Sequence, residues 1–231
     1  MNTALISNLS IETELLKIAH NNFRAPLDHL LASAELLTYN KGHILFKVGN
    51  IARGMYIINT GKVKLSKFGI DGKEQIIKIL HQGDVIGHKA LLNDQRFHEY
   101  AEVLEYAEIF YVCRQDFENV CTKEISALNY FTQLICNDLD RVEERLVSSA
   151  YEPVRGRLAS ILLELVDIYN DGKCAMINLS RGDLANMAGT AKETAIRLLY
   201  ELKKEQVLDL DGPNIVIKDF KALRQLAYLY K

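Results

Sequence analysis

Leu179-Ser180-Arg181-Gly182-Asp183-Leu184-Ala185-Asn186-Met187-Ala188-Gly189-Thr190-Ala191-Lys192-Glu193-Thr194-Ala195-Ile196-Arg197-Leu198-Leu199-Tyr200-Glu201-Leu202-Lys203-Lys204 is the stretch on which the reading of this chain turns. Ser180, followed by Asp183 three residues on, is a helix-start signal, with Asp where a standard capping box carries Glu or Gln. Leu184, Met187 and Ala188 give a short helix an inward face. Gly189 admits the backbone conformation that a tight turn between two crossing helices requires. A second helix is predicted from Ala191 to Lys204, with Ile196, Leu199 and Leu202 on its buried side and Lys192, Glu193 and Arg197 on the opposite one. Those three types read a major groove: Lys and Arg donate to guanine, and Glu accepts from the cytosine amino group. Glu193, four residues before Arg197, is expected also to orient it. Next come Val207–Leu210, a turn at Asp211-Gly212-Pro213-Asn214, and Ile215–Lys218. That pattern is a short β-hairpin, and a hairpin directly after a helix–turn–helix is a wing.

Upstream, Pro153 breaks a long predicted helix, roughly 124–149, because proline lacks an amide donor and restricts its predecessor. On that helix Leu128, Phe131, Ile135, Leu139, Val142 and Leu146 keep one narrow seam apolar, while Asp138, Asp140, Arg141, Glu143, Glu144 and Arg145 lie off it. A narrow seam suits pairing with a second copy of the chain, whereas a helix lying on its own domain usually shows a wider stripe. Between Pro153 and the deciding stretch, Val154–Asn170 reads as another helix through Leu158, Ile161, Leu162, Leu165 and Val166. Residues 1–35 read as helical, with Leu27, Leu30, Leu31 and Leu36 at mixed three- and four-residue spacing. From residue 36 the pattern changes to short apolar runs, such as His43–Phe46, Met55–Ile58, Val63–Phe68, Gln75–Leu80, Ala101–Leu104 and Glu108–Val112. Gly42, Gly49, Gly54, Gly61, Gly69, Gly72 and Gly83 break them up. Many short strands with glycine punctuation predict an antiparallel sandwich or barrel.

The composition, 48% apolar and 25% charged, is that of a globular protein. No apolar run approaches the roughly 18 residues of a membrane span, and the first residues carry no basic stretch ahead of an apolar core, so the cytoplasm is the expected location. Cys113, Cys121, Cys136 and Cys174 form no CxxC pair, which argues against a disulfide framework or a zinc knuckle. The net charge is −2, yet residues 173–204 hold six basic residues against three acidic ones. Phosphate affinity depends on that local face and not on the whole-chain charge.

From about residue 24 to its end the chain resembles the Crp/Fnr family of bacterial transcription regulators. The resemblance is carried by Lys41–Phe46 with Gly49, by Met55–Val63, by Gly83-Asp84-Val85-Ile86-Gly87, and by the recognition-helix pattern Lys192-Glu193-Thr194 with Arg197. It implies a jelly-roll β-barrel sensor of the cyclic-nucleotide-binding type with its N-terminal helix over 1–123, a dimerisation helix and hinge over 124–151, and a winged helix-turn-helix over 152–231. The expected fold class is therefore α+β. Ser180-Arg181 fall where the family holds DNA phosphates, so Ser180, Arg181, Thr190, Lys192, Glu193 and Arg197 are the predicted DNA-binding residues. The family's phosphate-contacting Ser in the turn falls at Ala191.

The sensor departs from the cAMP-binding members. Their Gly-Glu-Leu becomes Gly87-His88-Lys89, their Arg-Ser-Ala becomes His98-Glu99-Tyr100-Ala101 with no Arg and no Ser, and their Thr-Ser pair on the dimer helix becomes Val142-Glu143. Gly87, His88, Lys89, Val142 and Glu143 thus mark the effector pocket, with an effector other than cAMP, because Glu143 repels an anion. His88 and Lys89 could serve as a cationic site for another anion, or the sensor could bind nothing. An Fnr-type iron–sulfur cluster needs N-terminal cysteines, and the first here is Cys113. His81, His88 and His98 show no metal-ligand spacing. No cofactor, metal or catalytic motif is expected. The reading is of a regulator that binds an inverted-repeat DNA site as a homodimer, acts with RNA polymerase and has no membrane contact. The alternative is a cyclic-nucleotide-binding-type regulatory protein whose C-terminal domain contacts protein in place of DNA.

Overall fold

The computed structural model describes residues 25–169 and 176–228. Asn170, Lys173, Cys174 and the predicted helical residues before 25 lie outside the described residues. Helix α1 (Ala25–Ala32) is followed by β1 (Glu35–Tyr39), β2 (Ile44–Phe46), β3 (Gly54–Thr60), β4 (Val63–Phe68), β5 (Glu74–Leu80), β6 (Val85–Ile86), α2 (His88–Leu92), β7 (Tyr100–Val103) and β8 (Ala107–Cys113). Then come α3 (Arg114–Lys123), α4 (Ile125–Tyr151), α5 (Val154–Tyr169), β9 (Met176–Ile177), α6 (Arg181–Ala188), α7 (Lys192–Lys204), β10 (Leu208–Asp211), β11 (Asn214–Ile217) and α8 (Phe220–Tyr228). Leu36, predicted at the end of a helix, sits in β1 opposite Phe110. A few apolar residues at mixed spacing fit either element, and here pairing with β8 decides. Among the described residues, no helix is long and apolar enough to cross a membrane.

The eight N-terminal strands form two four-stranded sheets, in the orders β1-β8-β3-β6 and β2-β7-β4-β5, and not the closed barrel of the sequence expectation. Each sheet keeps its own edge strands, giving a jelly-roll-like arrangement of two layers. A third sheet has the order β10-β11-β9. The chain divides into two compact units, one of residues 1–64 and 80–137, the other of 65–79 and 138–231. Helix α4 lies between the expected boundaries at 123/124 and 151/152, and the compact units divide within that helix.

The first unit is organised by the antiparallel β3–β8 pair, in which Met55 faces Val112 and Ile57 faces Phe110. Met55, Ile57, Ile58, Ile109 and Val112 are fully buried, so this pair forms the floor of the core. Helix α1 lies against α3, burying Leu30, and α3 contributes the buried Phe117. The start of α4 closes the core with Ala127 and Phe131, both fully buried. Phe131 stands edge-on to Phe117 at 4.9 Å and to Tyr130 at 5.3 Å.

In the second unit α5 lies against α6 and α8, and α6 against α7, around Leu158, Leu162, Leu165, Leu184, Leu199, Leu202 and Leu223. The β4–β5 segment 65–79 belongs to the same unit and is tied to the helices by polar bonds. Asn186 Nδ2 donates to Glu74 Oε2 at 3.0 Å, and Gln75 Nε2 donates to the Met187 carbonyl at 3.3 Å. Arg145 of α4 donates to the Ile77 carbonyl and pairs with Glu164 at 3.0 Å.

The burial along α4 corrects one predicted seam residue. Phe131 is core of its own domain and so is not part of an exposed seam. Ile135 is half-buried, while Leu128, Leu139 (56% exposed), Val142 and Leu146 (70% exposed) remain open, joined by Val147 and Tyr151. Replacing Phe131 by Ala should therefore cost about 3–5 kcal/mol of folding stability through the cavity it leaves. Urea unfolding of the variant checks this, and a loss below about 1 kcal/mol, surface-like in size, would contradict the placement.

Candidate nucleic-acid interface and sensor pocket

Helix α6 begins as its first residues dictate. The Ser180 hydroxyl accepts from the Asp183 amide at 3.0 Å and donates to Asp183 Oδ2 at 2.6 Å, satisfying one orphan helix donor. Its proton is thereby committed to Asp183, so Ser180 acts here as a helix cap. The helix ends at Gly189, whose φ of 59° lies in the left-handed region, while the Gly189 and Thr190 amides both return to the Ala185 carbonyl. This cap turns the chain directly into α7.

Helix α7 buries Ala195, Leu198, Leu199 and Leu202, with Ile196 half-buried beside them. Lys192, Glu193 and Arg197 all project to solvent, as predicted, and Thr190 lies half-buried in the turn before them. Ala191 supplies the N-cap position with no side-chain bond, so nothing from that side chain covers the first amides of α7. The expected orientation of Arg197 by Glu193 is replaced by another contact: Arg197 Nη1 donates to Glu201 Oε1 at 2.9 Å. Glu201 also faces Arg155, which pairs with Glu205, so Arg197 is the outer member of a short charge network. Glu193, in the first turn, lies at the positive end of the helix dipole.

Two features escaped the sequence reading. Tyr200, three residues after Arg197, is exposed on the same helix face, and only its spacing hinted at it. Arg181 is half-buried, and its Nη1 is buried with no hydrogen-bond acceptor among the described residues. Burial holds its guanidinium below the usual arginine range, an effect partly offset by the nearby Tyr200. A buried donor without an acceptor is costly, and an arriving phosphate oxygen would satisfy it. After α7 the wing forms as β10 and β11, in register from Leu208 opposite Ile217 to Asp211 opposite Asn214, with Lys203 Nζ 2.8 Å from Asp209.

In the first unit, Gly87 has a φ of 91°, and a side chain there would crowd Phe97 at 3.2 Å. It leads into α2, where His88 is buried with its ring 5.7 Å from that of Phe131. Lys89 points to a carboxylate: its Nζ lies 3.1 Å from Glu99 Oε1 and 3.3 Å from Oε2. The three neighbouring histidines do not converge. His98 is exposed and bonded to Asp94 at 2.9 Å, and His81 bonds through Nδ1 to the Gln82 carbonyl. Val142 and Glu143 are both exposed on α4.

Fold and interface define a winged helix-turn-helix protein carrying a sensor of the cyclic-nucleotide-binding type. Residues 36–124 match the cyclic nucleotide-binding domain model and residues 156–226 the Crp-like helix-turn-helix domain model. The chain is 25% identical over 213 residues to the cyclic AMP receptor protein of Thermus thermophilus, covering 88% of this chain and 97% of that one. It is 27% identical over 195 residues to the fumarate and nitrate reduction regulatory protein of Vibrio cholerae, covering 83% and 78%. Its fold matches that of FixK2 from Bradyrhizobium japonicum with a TM-score of 0.76 at 24% identity, covering 84% of this chain and 96% of that structure. The chain belongs to the Crp/Fnr family of DNA-binding transcription regulators.

Replacing Ser180 by Ala should cost about 1 kcal/mol through the lost cap. Thermal or urea unfolding reads this directly, and an unchanged midpoint would show that Asp183 caps the helix without it.

Proposed function

We propose that this regulator binds an inverted-repeat operator as a homodimer, laying α7 of each copy in successive major grooves. The observation that carries the reading is the outward face of α7, where Arg197 is held in place by Glu201 beside the exposed Lys192 and Glu193. The planar guanidinium matches the O6 and N7 acceptors of guanine, and Glu193 offers an acceptor for a cytosine amino group. Arg181, with its unsatisfied nitrogen, takes a backbone phosphate that sets the register. Thr190 stands at the same turn and can add a hydroxyl contact. Such a regulator performs no catalysis. It works in the cytoplasm, where the chromosome is, and acts on RNA polymerase at the promoter it occupies.

The dimer reading rests on Leu128, Leu139, Val142 and Leu146, a run of exposed apolar side chains along one long helix. An open seam of this length is covered in a parallel coiled coil by the same seam of a second copy. Replacing Leu139 and Val142 by Glu should convert the protein to monomers in sedimentation analysis and abolish specific DNA binding. A wild type that sediments as a monomer at micromolar concentration would overturn this.

On operator DNA, Arg197→Ala should lose about 1–3 kcal/mol at one symmetric pair of base positions and relax preference there. Arg181→Ala should weaken all sequences alike and lower the salt slope by about one unit. Binding of both variants to base-substituted operators over a salt series separates the roles. An Arg197→Ala protein with wild-type base preference would mean that another element reads the groove.

A further inference from the structure

The Lys89–Glu99 pair gives the sensor a charge arrangement of its own. Glu99 is only 8% exposed, and both its carboxylate oxygens lie within 3.3 Å of Lys89 Nζ. Lys89 belongs to α2, directly after Gly87 and the buried His88, while Glu99 immediately precedes β7. The two halves of the region that resembles a nucleotide-gripping cassette are therefore joined by an internal ion pair. A cation so placed would be the natural anchor for an anionic effector, but its charge is already met by a carboxylate of the same chain. Bringing a second anion beside a buried carboxylate costs both desolvation and like-charge repulsion.

We propose that Glu99 serves as a built-in substitute for an anionic effector, holding the sensor in its DNA-competent state with no small anion bound. This rests on the DNA-binding reading given above. The pair draws the start of α2 toward β7, the closure that a bound anion bridging the same two segments would produce. Glu99 is on this account a positioning residue, acting through Lys89, and the regulator's DNA affinity depends on the pair in place of a ligand.

The test is the affinity of the full-length protein for its selected operator, read by fluorescence anisotropy. Wild type should bind specifically with nothing added, and saturating cAMP or cGMP should leave its affinity unchanged. Glu99→Gly should bind about tenfold more weakly, the scale of ordinary coupling between sites. Millimolar acetate, against chloride at matched ionic strength, should restore that loss by entering the vacated carboxylate position. The Lys89→Met/Glu99→Gly double variant should not respond to acetate. Glu99→Gln, nearly isosteric, guards against a folding defect and should show the same loss, with thermal melting confirming that it is folded. Wild-type affinity in folded Glu99→Gln, a loss that acetate does not relieve, or a tenfold gain of the wild type with cAMP would each overturn the proposal. A wild type with no sequence-specific DNA binding would instead overturn the DNA-binding reading on which it rests.

Discussion

Helix α4 carries two kinds of hydrophobic surface. Its first turns bury Ala127 and Phe131 completely in the sensor core, where Phe131 packs on Phe117 and Tyr130. Its later turns carry Leu139, Val142 and Leu146 with their apolar surface open. The first contact anchors the helix to the domain that senses; the second leaves a stripe that water disfavours and that a matching stripe removes from water. Burial of the anchoring ring is intramolecular and holds at any concentration. In the proposed dimer, covering of the stripe depends on a second copy and follows mass action. Shifting Phe131 from the seam to the core moves it from the second kind of contact to the first.

Electrostatics plays opposite parts in the helix-turn-helix and in the N-terminal domain. At the DNA-facing end a donor is left incomplete: Arg181 has a buried nitrogen with no acceptor among the described residues, and Arg197 is braced by Glu201 yet stays exposed. On the proposed reading, these groups gain when phosphates and base edges arrive. In the sensor the charge is already closed, because Lys89 meets Glu99. An open donor favours a partner and a satisfied pair refuses one. On the proposed reading, that contrast lets one chain of modest net charge suit a polyanion at one place and disfavour small anions at another.

Much of this was legible in the sequence wherever local chemistry decides. The Ser180–Asp183 cap, the Gly189 turn, the inward face of α7 and the Gly212 hairpin each follow from residues within a turn of one another, and all four formed. The strands between glycine breaks also appeared, because short apolar runs bounded by turn residues are a local pattern. What stayed hidden depends on distant partners. Periodicity could not tell whether Phe131 faces its own domain or another copy, since both leave the same spacing. Leu36 paired with Phe110 of a strand more than seventy residues away. Arg197 has an acidic neighbour four residues to either side, and only the folded geometry chose Glu201. Lys89 and Glu99 meet because α2 and β7 are brought together, which no spacing rule announces. The order of the strands within the two sheets was likewise invisible, because strand order is a long-range property.

The central claim is that two copies of α7, related by a two-fold axis, read DNA. Selection of bound sequences from a random double-stranded pool by the full-length protein tests it most directly. The account predicts enrichment of an inverted repeat whose half-site centres lie about one helical turn, roughly 34 Å, apart. A single asymmetric site, or no enrichment over the starting pool, would contradict it.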